Sequence, residues 1–207
     1  MAHKRNIFNI FRIYFFCFYN LEFKFNVFTI LCLDYWCLYI CNDLLLTSKK
    51  IILMIKFDFK NRTAVITGGA QGFGLDIAKR FLESGAKVFL WDIDKKLLTS
   101  SVKEINNPNL FYNVVDVSNY QNVEKIVSEI TLNNNIDILI NNAGITGPTV
   151  PLWEYDLEMW NKIVQINLIG TFNCCRAIVP NMIKNNYGRI VNVASVAGKD
   201  GNANASA

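Results

Sequence analysis

The chain has 207 residues, 52% hydrophobic and 13% aromatic, with one histidine, six cysteines and a formal charge of +4. That length suits one domain with a full core, and a lone His3 with no Cys-x-x-Cys pair argues against any metal site. The charge points to no nucleic-acid partner, because residues 1–53 carry +3 of it (six basic, three acidic) and residues 54–207 show no basic patch interleaved with aromatics.

Residues 1–53 also hold 13 of the 27 aromatics and four of the six cysteines (Cys17, Cys32, Cys37 and Cys41), without a glycine or proline. Stretches 8–19 and 25–41 are apolar, yet their longest charge-free runs are nine residues, well short of the ~20 that span a bilayer. Asp34 interrupts the better candidate, where a charge costs about 3 kcal/mol to insert. No small-residue cleavage site follows an apolar core. Three readings stay open for this unassigned extension: a membrane-associated tail, a disordered or aggregation-prone appendage, or translated sequence ahead of the true start. The predicted domain is 54–207, and residues 1–53 are expected to add nothing to its fold.

From Asp58 the pattern alternates strand and helix. Residues 63–66 (Thr-Ala-Val-Ile) are β-branched and uncharged, as a strand buried on both faces should be. Thr67-Gly68-Gly69-Ala70-Gln71-Gly72-Phe73-Gly74 follows and opens a helix that runs to about Ser84. Ile77, Ala78, Phe81 and Leu82 form its inner stripe, and Gly85 stands past its end. A strand, a glycine turn and a helix start together make an anion cradle: the backbone can approach phosphate without a Cβ in the way, and free N–H groups face the charge. The next apolar run, 87–91, ends on Asp92, 18 residues after Gly74, where an acid suits an adenosine ribose with free hydroxyls.

Asp94 is the predicted cap of the next helix, with Leu97, Leu98, Val102 and Ile105 at helical spacing until Asn106-Asn107-Pro108-Asn109 breaks it. Residues 110–115 read as the third strand, and Ser118 with Gln121 as a capping box ahead of Val123, Ile126, Val127 and Ile130. Residues 136–140 are the fourth strand. After a loop with Gly147, Pro148 and Pro151, one long helix is predicted over 156–185, bent at Pro180. Residues 189–193 are the fifth strand. Cys174 and Cys175 fall on that long helix and read as reduced thiols of an intracellular protein. Strands joined by single helices give an α/β fold with a parallel, doubly wound sheet and helices on both faces. In such a sheet ligands bind at the carboxyl ends of the strands, where Asp92, Asp116, Asn142 and Ser195 stand.

The spacing Thr-Gly-x-x-x-Gly-x-Gly resembles the short-chain dehydrogenase/reductase family, including its 3-oxoacyl-carrier-protein reductases and sugar-acid dehydrogenases. Asp116-Val117, Asn141-Asn142-Ala143-Gly144, Asn167 in Ile166-Asn167-Leu168-Ile169-Gly170, and Ser195 in Val191-Asn192-Val193-Ala194-Ser195 are similar to further signatures of that family, in the same order. Met54-Ile55-Lys56-Phe57-Asp58-Phe59-Lys60-Asn61 resembles its amino terminus, which favours the upstream-translation reading of residues 1–53.

The resemblance implies a Rossmann-type sheet with five of the usual seven strands present, and an oxidoreductase moving hydride between a nicotinamide cofactor and a carbonyl/alcohol substrate. It places Gly68, Gln71, Gly72, Phe73 and Gly74 at the pyrophosphate, with Phe73 acting through its backbone. Asp92 and Ile93 fall at the adenosine ribose, Asp116 and Val117 at the adenine, and Asn142, Ala143 and Gly144 at the nicotinamide ribose. Asn141 is read instead as a strut between strands. Ser195 would hydrogen-bond the substrate oxygen, and Asn167 would hold a water in a proton relay.

NAD is the expected cofactor, since Asp92 would meet the 2′-phosphate of NADP, although Lys95 and Lys96 stand close by. The family's catalytic tyrosine would fall one position beyond Ala207 and its lysine four further on. A C-terminal truncation without catalysis of its own is therefore expected. Trp153 and Tyr155 either line the substrate site or pack on the long helix. A cytoplasmic, homo-oligomeric enzyme (tetramer or dimer) is implied for the full-length form. The alternative is a binding module that holds NAD without catalysis, either a natural short protein or one tethered to a membrane by residues 1–53.

Overall fold

The computed structural model describes residues 57–206, so every expectation for residues 1–53 and for a start at Met54 lies outside the described residues. Five strands, β1 (Thr63–Thr67), β2 (Lys87–Asp92), β3 (Leu110–Val114), β4 (Ile138–Asn141) and β5 (Arg189–Asn192), pair in the order β3-β2-β1-β4-β5. All pairings are parallel. This is the doubly wound sheet the alternation calls for, with the strand order reversing beside β1.

β1 is buried along its whole length because it is paired on both edges and covered by helices on both faces, with Val65 in register with Phe89 of β2 and Leu139 of β4. A strand points successive side chains to opposite faces, so β1, β2 and β4 feed two cores at once. On one face Val65, Phe89, Trp91 and Leu139 pack with Val123, Val127 and Ile178; on the other Ile66, Val88, Leu90 and Ile140 pack with Ala78, Leu82 and Leu98. The helices supplying those partners are α1 (Gly72–Glu83) and α2 (Lys95–Ile105) on the second face, and α3 (Tyr120–Thr131) and α5 (Gly170–Lys184) on the first. α4 (Leu157–Ile163) precedes α5, and a four-residue α6 (Ala197–Asp200) follows β5.

Two local expectations are corrected. Leu97 is 38% exposed, and Ser101 rather than an apolar residue takes a buried place on the inner side of α2. The capping box at Ser118 and Gln121 does not form: Asn119 caps α3 by accepting from Asn122 N, while the Ser118 hydroxyl turns back to donate to Asp116 Oδ1 at 2.6 Å. The long helix runs over Leu157–Lys184, close to the expected span, but it is not uniform. A π-helical segment, Val164–Ile169, separates α4 from α5, and α5 continues through Pro180 to Lys184.

The run Leu157–Lys184 has the length and mean hydropathy (1.2) of a membrane-crossing helix. Its inner face nevertheless carries Gly170, Asn173, Cys174, Ile178 and Met182 into the fold, as a core helix beside a sheet does. β5 lies at the edge of the sheet and is exposed at all four residues, whereas its neighbour β4 is wholly buried.

Candidate cofactor and active site

The turn after β1 brings Gly68 and Gly72 into left-handed backbone, at φ +61° and +56°. At Gly72 a Cβ would meet nothing within 4 Å, so this glycine faces open space at the start of α1. At Gly74 a Cβ would collide with the Gly68 carbonyl oxygen and come within 2.7 Å of Asn142 Nδ2, so only glycine lets α1 begin this close to the strand ends. α2, α3 and α4 are capped by the side chains of Asp94, Asn119 and Asp156. α1 differs: Gln71 makes no side-chain cap. Its N-terminal N–H groups and positive dipole end are left for an anion from outside the chain. The Phe73 side chain is 80% exposed.

Asp92 ends β2 beside this loop. Its Oδ2 accepts from Ala70 N at 3.1 Å and its Oδ1 from Asp94 N at 3.1 Å. Ile93 is 67% exposed next to it. The loop is also held from behind, where Gly69 N donates to the Trp91 carbonyl at 3.0 Å and Ser101 Oγ to the Ala70 carbonyl at 2.7 Å. Asp116 lies beyond β3, its backbone N donating to Asn122 Oδ1 and its Oδ1 accepting from Ser118. Val117 is buried against Gly170, and its carbonyl accepts from Asn173 Nδ2 at 3.0 Å.

Between β1 and β4, where the strand order reverses, Thr67 is the hub. Its Oγ1 accepts from Asn142 N at 3.0 Å and Ala143 N at 2.9 Å, and donates to the Ile140 carbonyl at 3.4 Å. Asn142 returns the contact, its Nδ2 donating to the carbonyls of Thr67 and Gly68, each at 3.0 Å. The glycine turn and the Asn-Ala-Gly turn are thus laced together. One residue further, the Asn167 amide imitates a strand partner, accepting from Ile145 N and donating to the Ile145 carbonyl, both at 2.9 Å. Gly144 fits against that amide, where a Cβ would come within 3.2 Å of Asn167 Oδ1. Asn167 stands in the π segment, a distortion that occurs often at functional sites.

Asn141 acts as a strut. Its Nδ2 donates to Asn192 Oδ1 at 2.9 Å across the β4–β5 pair and to Cys175 Sγ at 3.3 Å. Ser195 stands just past β5, exposed, with its Oγ accepting from Ala197 N at 3.2 Å. An exposed hydroxyl used only as an acceptor keeps its proton for an outside oxygen. Trp153 is 85% exposed, whereas Tyr155 is buried and meets Trp160 edge-on at 5.5 Å. Burial, and to a lesser degree Cys175, pushes the Cys174 thiol up from 9.0 to about 12. It stays a protonated core group and no nucleophile.

The sequence reading assigned no role to Thr67, Ser101 or Asn173. A polar residue inside an otherwise apolar stripe is the signal that marks Ser101 and Asn173, although it does not say which carbonyl each would reach.

Comparison with known proteins gives the family and the fold. The sequence profile described as short chain dehydrogenase matches residues 62–207. The 2-dehydro-3-deoxy-L-rhamnonate dehydrogenase (NAD(+)) of Sphingomonas sp. (strain SKA58) is 43% identical over 150 residues, which is 72% of this chain and 59% of that protein. The 3-oxoacyl-[acyl-carrier-protein] reductase FabG of Chlamydia trachomatis is 35% identical over 145 residues, 68% of this chain and 58% of that protein. Among solved structures, a 3-oxoacyl-[acyl-carrier protein] reductase with bound NAD from Brucella melitensis superposes with a TM-score of 0.66 at 34% identity, covering 72% of this chain and 59% of that one. The chain therefore spans less than two thirds of the length of these relatives.

Proposed function

The chain belongs to the short-chain dehydrogenase/reductase family, and from that premise we propose that it serves an NAD-dependent oxidoreductase acting on a carbonyl/alcohol pair. The observation that carries this reading is the uncapped start of α1, opened by left-handed Gly72 and laced through Thr67 and Asn142 to the point where the strand order reverses. A free helix N-terminus at that place fits a dinucleotide pyrophosphate. When bound, the nicotinamide supplies or accepts the hydride.

The chain's own residues bind and orient. Gly68, Gln71, Gly72, Phe73 and Gly74 face the pyrophosphate, with the N–H groups at the start of α1 as donors. Asp92 and Ile93 take the adenosine ribose, Asp116 and Val117 the adenine, and Asn142, Ala143 and Gly144 the nicotinamide ribose. Ser195 donates its hydroxyl proton to the substrate oxygen. Asn167 holds the loop after β4 through Ile145 and, in the family's pattern, a water of the proton relay. NAD is preferred over NADP because Asp92 would stand against a 2′-phosphate, while Lys95 and Lys96 lie exposed on the first turn of α2. The names of the relatives favour a 3-oxoacyl thioester or sugar-acid substrate, and favour catalysis over NAD binding alone. Leu157, Leu168 and Phe172 are 77%, 64% and 54% exposed on the α4–α5 run, which supports a homo-oligomer, dimer or tetramer. A cytoplasmic location accords with the free thiols of Cys174 and Cys175.

Calorimetric titration of NAD and NADP into the protein tests the proposal. NAD binding at least roughly tenfold tighter than NADP binding is expected; no binding, or tighter NADP binding, would overturn it.

A further inference from the structure

Ser101 lies on α2, outside every stretch assigned to the cofactor, and is only 8% exposed. It occupies a place where the helix otherwise presents Leu98, Val102 and Ile105 to the second core. Its hydroxyl donates to the Ala70 carbonyl at 2.7 Å, and Ala70 is itself 2% exposed. On the other side of the same residue, Ala70 N donates to Asp92 Oδ2 at 3.1 Å. The peptide planes before and after Ala70 are therefore clamped by different side chains, the acid at the end of β2 and the serine in the middle of α2.

We propose that Ser101 is a positioning residue that sets the preference for NAD over NADP by clamping the glycine loop against Asp92. This inference rests on the reading of Asp92 as the ribose acid. A carboxylate has about four acceptor sites, of which the N–H groups of Ala70 and Asp94 occupy two, leaving the others for ribose hydroxyls. A 2′-phosphate in that place would drive the carboxylate away. While Ser101 holds Ala70, Asp92 can retreat only by giving up its Ala70 N–H donor. Without the serine hydroxyl the Ala70 carbonyl loses its buried donor, the loop and the acid shift together, and NAD loses its aligned carboxylate, whereas NADP, which gains nothing from that acid, is little affected. A serine that merely stabilised the fold would affect both cofactors alike.

The test measures Kd for NAD and NADP in the whole chain, for the wild type, Ser101→Ala, Ser101→Thr and Asp92→Asn, with Tm recorded for each. Ser101→Ala is expected to weaken NAD roughly tenfold while NADP changes by less than about twofold, and Ser101→Thr, which restores the hydroxyl, is expected to recover the wild-type ratio. Equal weakening of both cofactors, or an unchanged ratio in Ser101→Ala, would overturn the inference. So would a Ser101→Thr that folds yet keeps the alanine ratio. If Asp92→Asn leaves the wild-type ratio intact, or the wild type binds neither cofactor, the ribose-acid reading fails and this inference with it.

Discussion

The two ends of the site are built differently. Around Thr67 the turns after β1 and β4 are closed by hydrogen bonds within the chain: Thr67 is 1% exposed, its hydroxyl makes three contacts, and the Asn142 amide makes two more. Around Ser195 the strand is exposed along its length, and the serine hydroxyl makes one local contact, to Ala197 N. The nucleotide end is thus part of the core, and a change there should cost stability and binding together. The substrate end is surface, and a change there should leave both alone. Ordered by expected size, the following experiments strain that contrast.

Gly74→Ala should be the most damaging, because its Cβ would collide with the Gly68 carbonyl and crowd Asn142 Nδ2. A loss of roughly 3 kcal/mol, or about 10 °C in Tm, is expected together with loss of NAD binding; a wild-type melt would break the comparison. Thr67→Val keeps the shape but removes the acceptor of Asn142 N and Ala143 N. Leaving those donors unpaired should cost about 2 kcal/mol in denaturant unfolding, and an unchanged midpoint would show that the lacing is incidental.

Asp92→Asn should weaken NAD roughly tenfold while narrowing the gap to NADP, with Kd values from titration as the measure. Cys174, buried in the core of the first face, offers a pH handle. Its folded pKa of about 12 is raised from 9.0 by burial and by Cys175. The stability this contributes is complete below pH 9.0 and is lost as pH rises towards 12. Unfolding free energy should therefore decline across that window, less so in Cys174→Ala, and peptide-resolved alkylation at pH 8 should reach Cys174 only on unfolding.

Ser195→Ala should have the smallest effect on the fold, within about 0.5 kcal/mol, with NAD affinity unchanged. In a chain carried on through a Tyr-x-x-x-Lys pair, the same substitution should depress kcat far more than NAD affinity. A large fall in Tm would erase the distinction between core end and surface end.

What the sequence by itself determined is what depends on near neighbours. Strand and helix alternate where the period of apolar residues changes, Asp94 caps α2 two and three residues ahead of its partners Lys96 N and Leu97 N, and Gly85 takes φ +88° just past α1. The glycine spacing and Asp92 were legible for the same reason, since a turn and a strand end are local objects. What only the tertiary structure decided is who bonds to whom across the fold. Ser101 reaches a carbonyl 31 residues away, Asn142 one 75 away, and Asn167 engages Ile145 22 residues back. Side chains of the same type make local caps or distant struts according to which unpaired backbone group lies within about 3 Å, a distance in space that sequence separation does not carry. Burial follows the same rule: Ile190 and Val191 are as apolar as Ile138 and Leu139, yet lie exposed because neither of the two cores reaches β5 among the described residues.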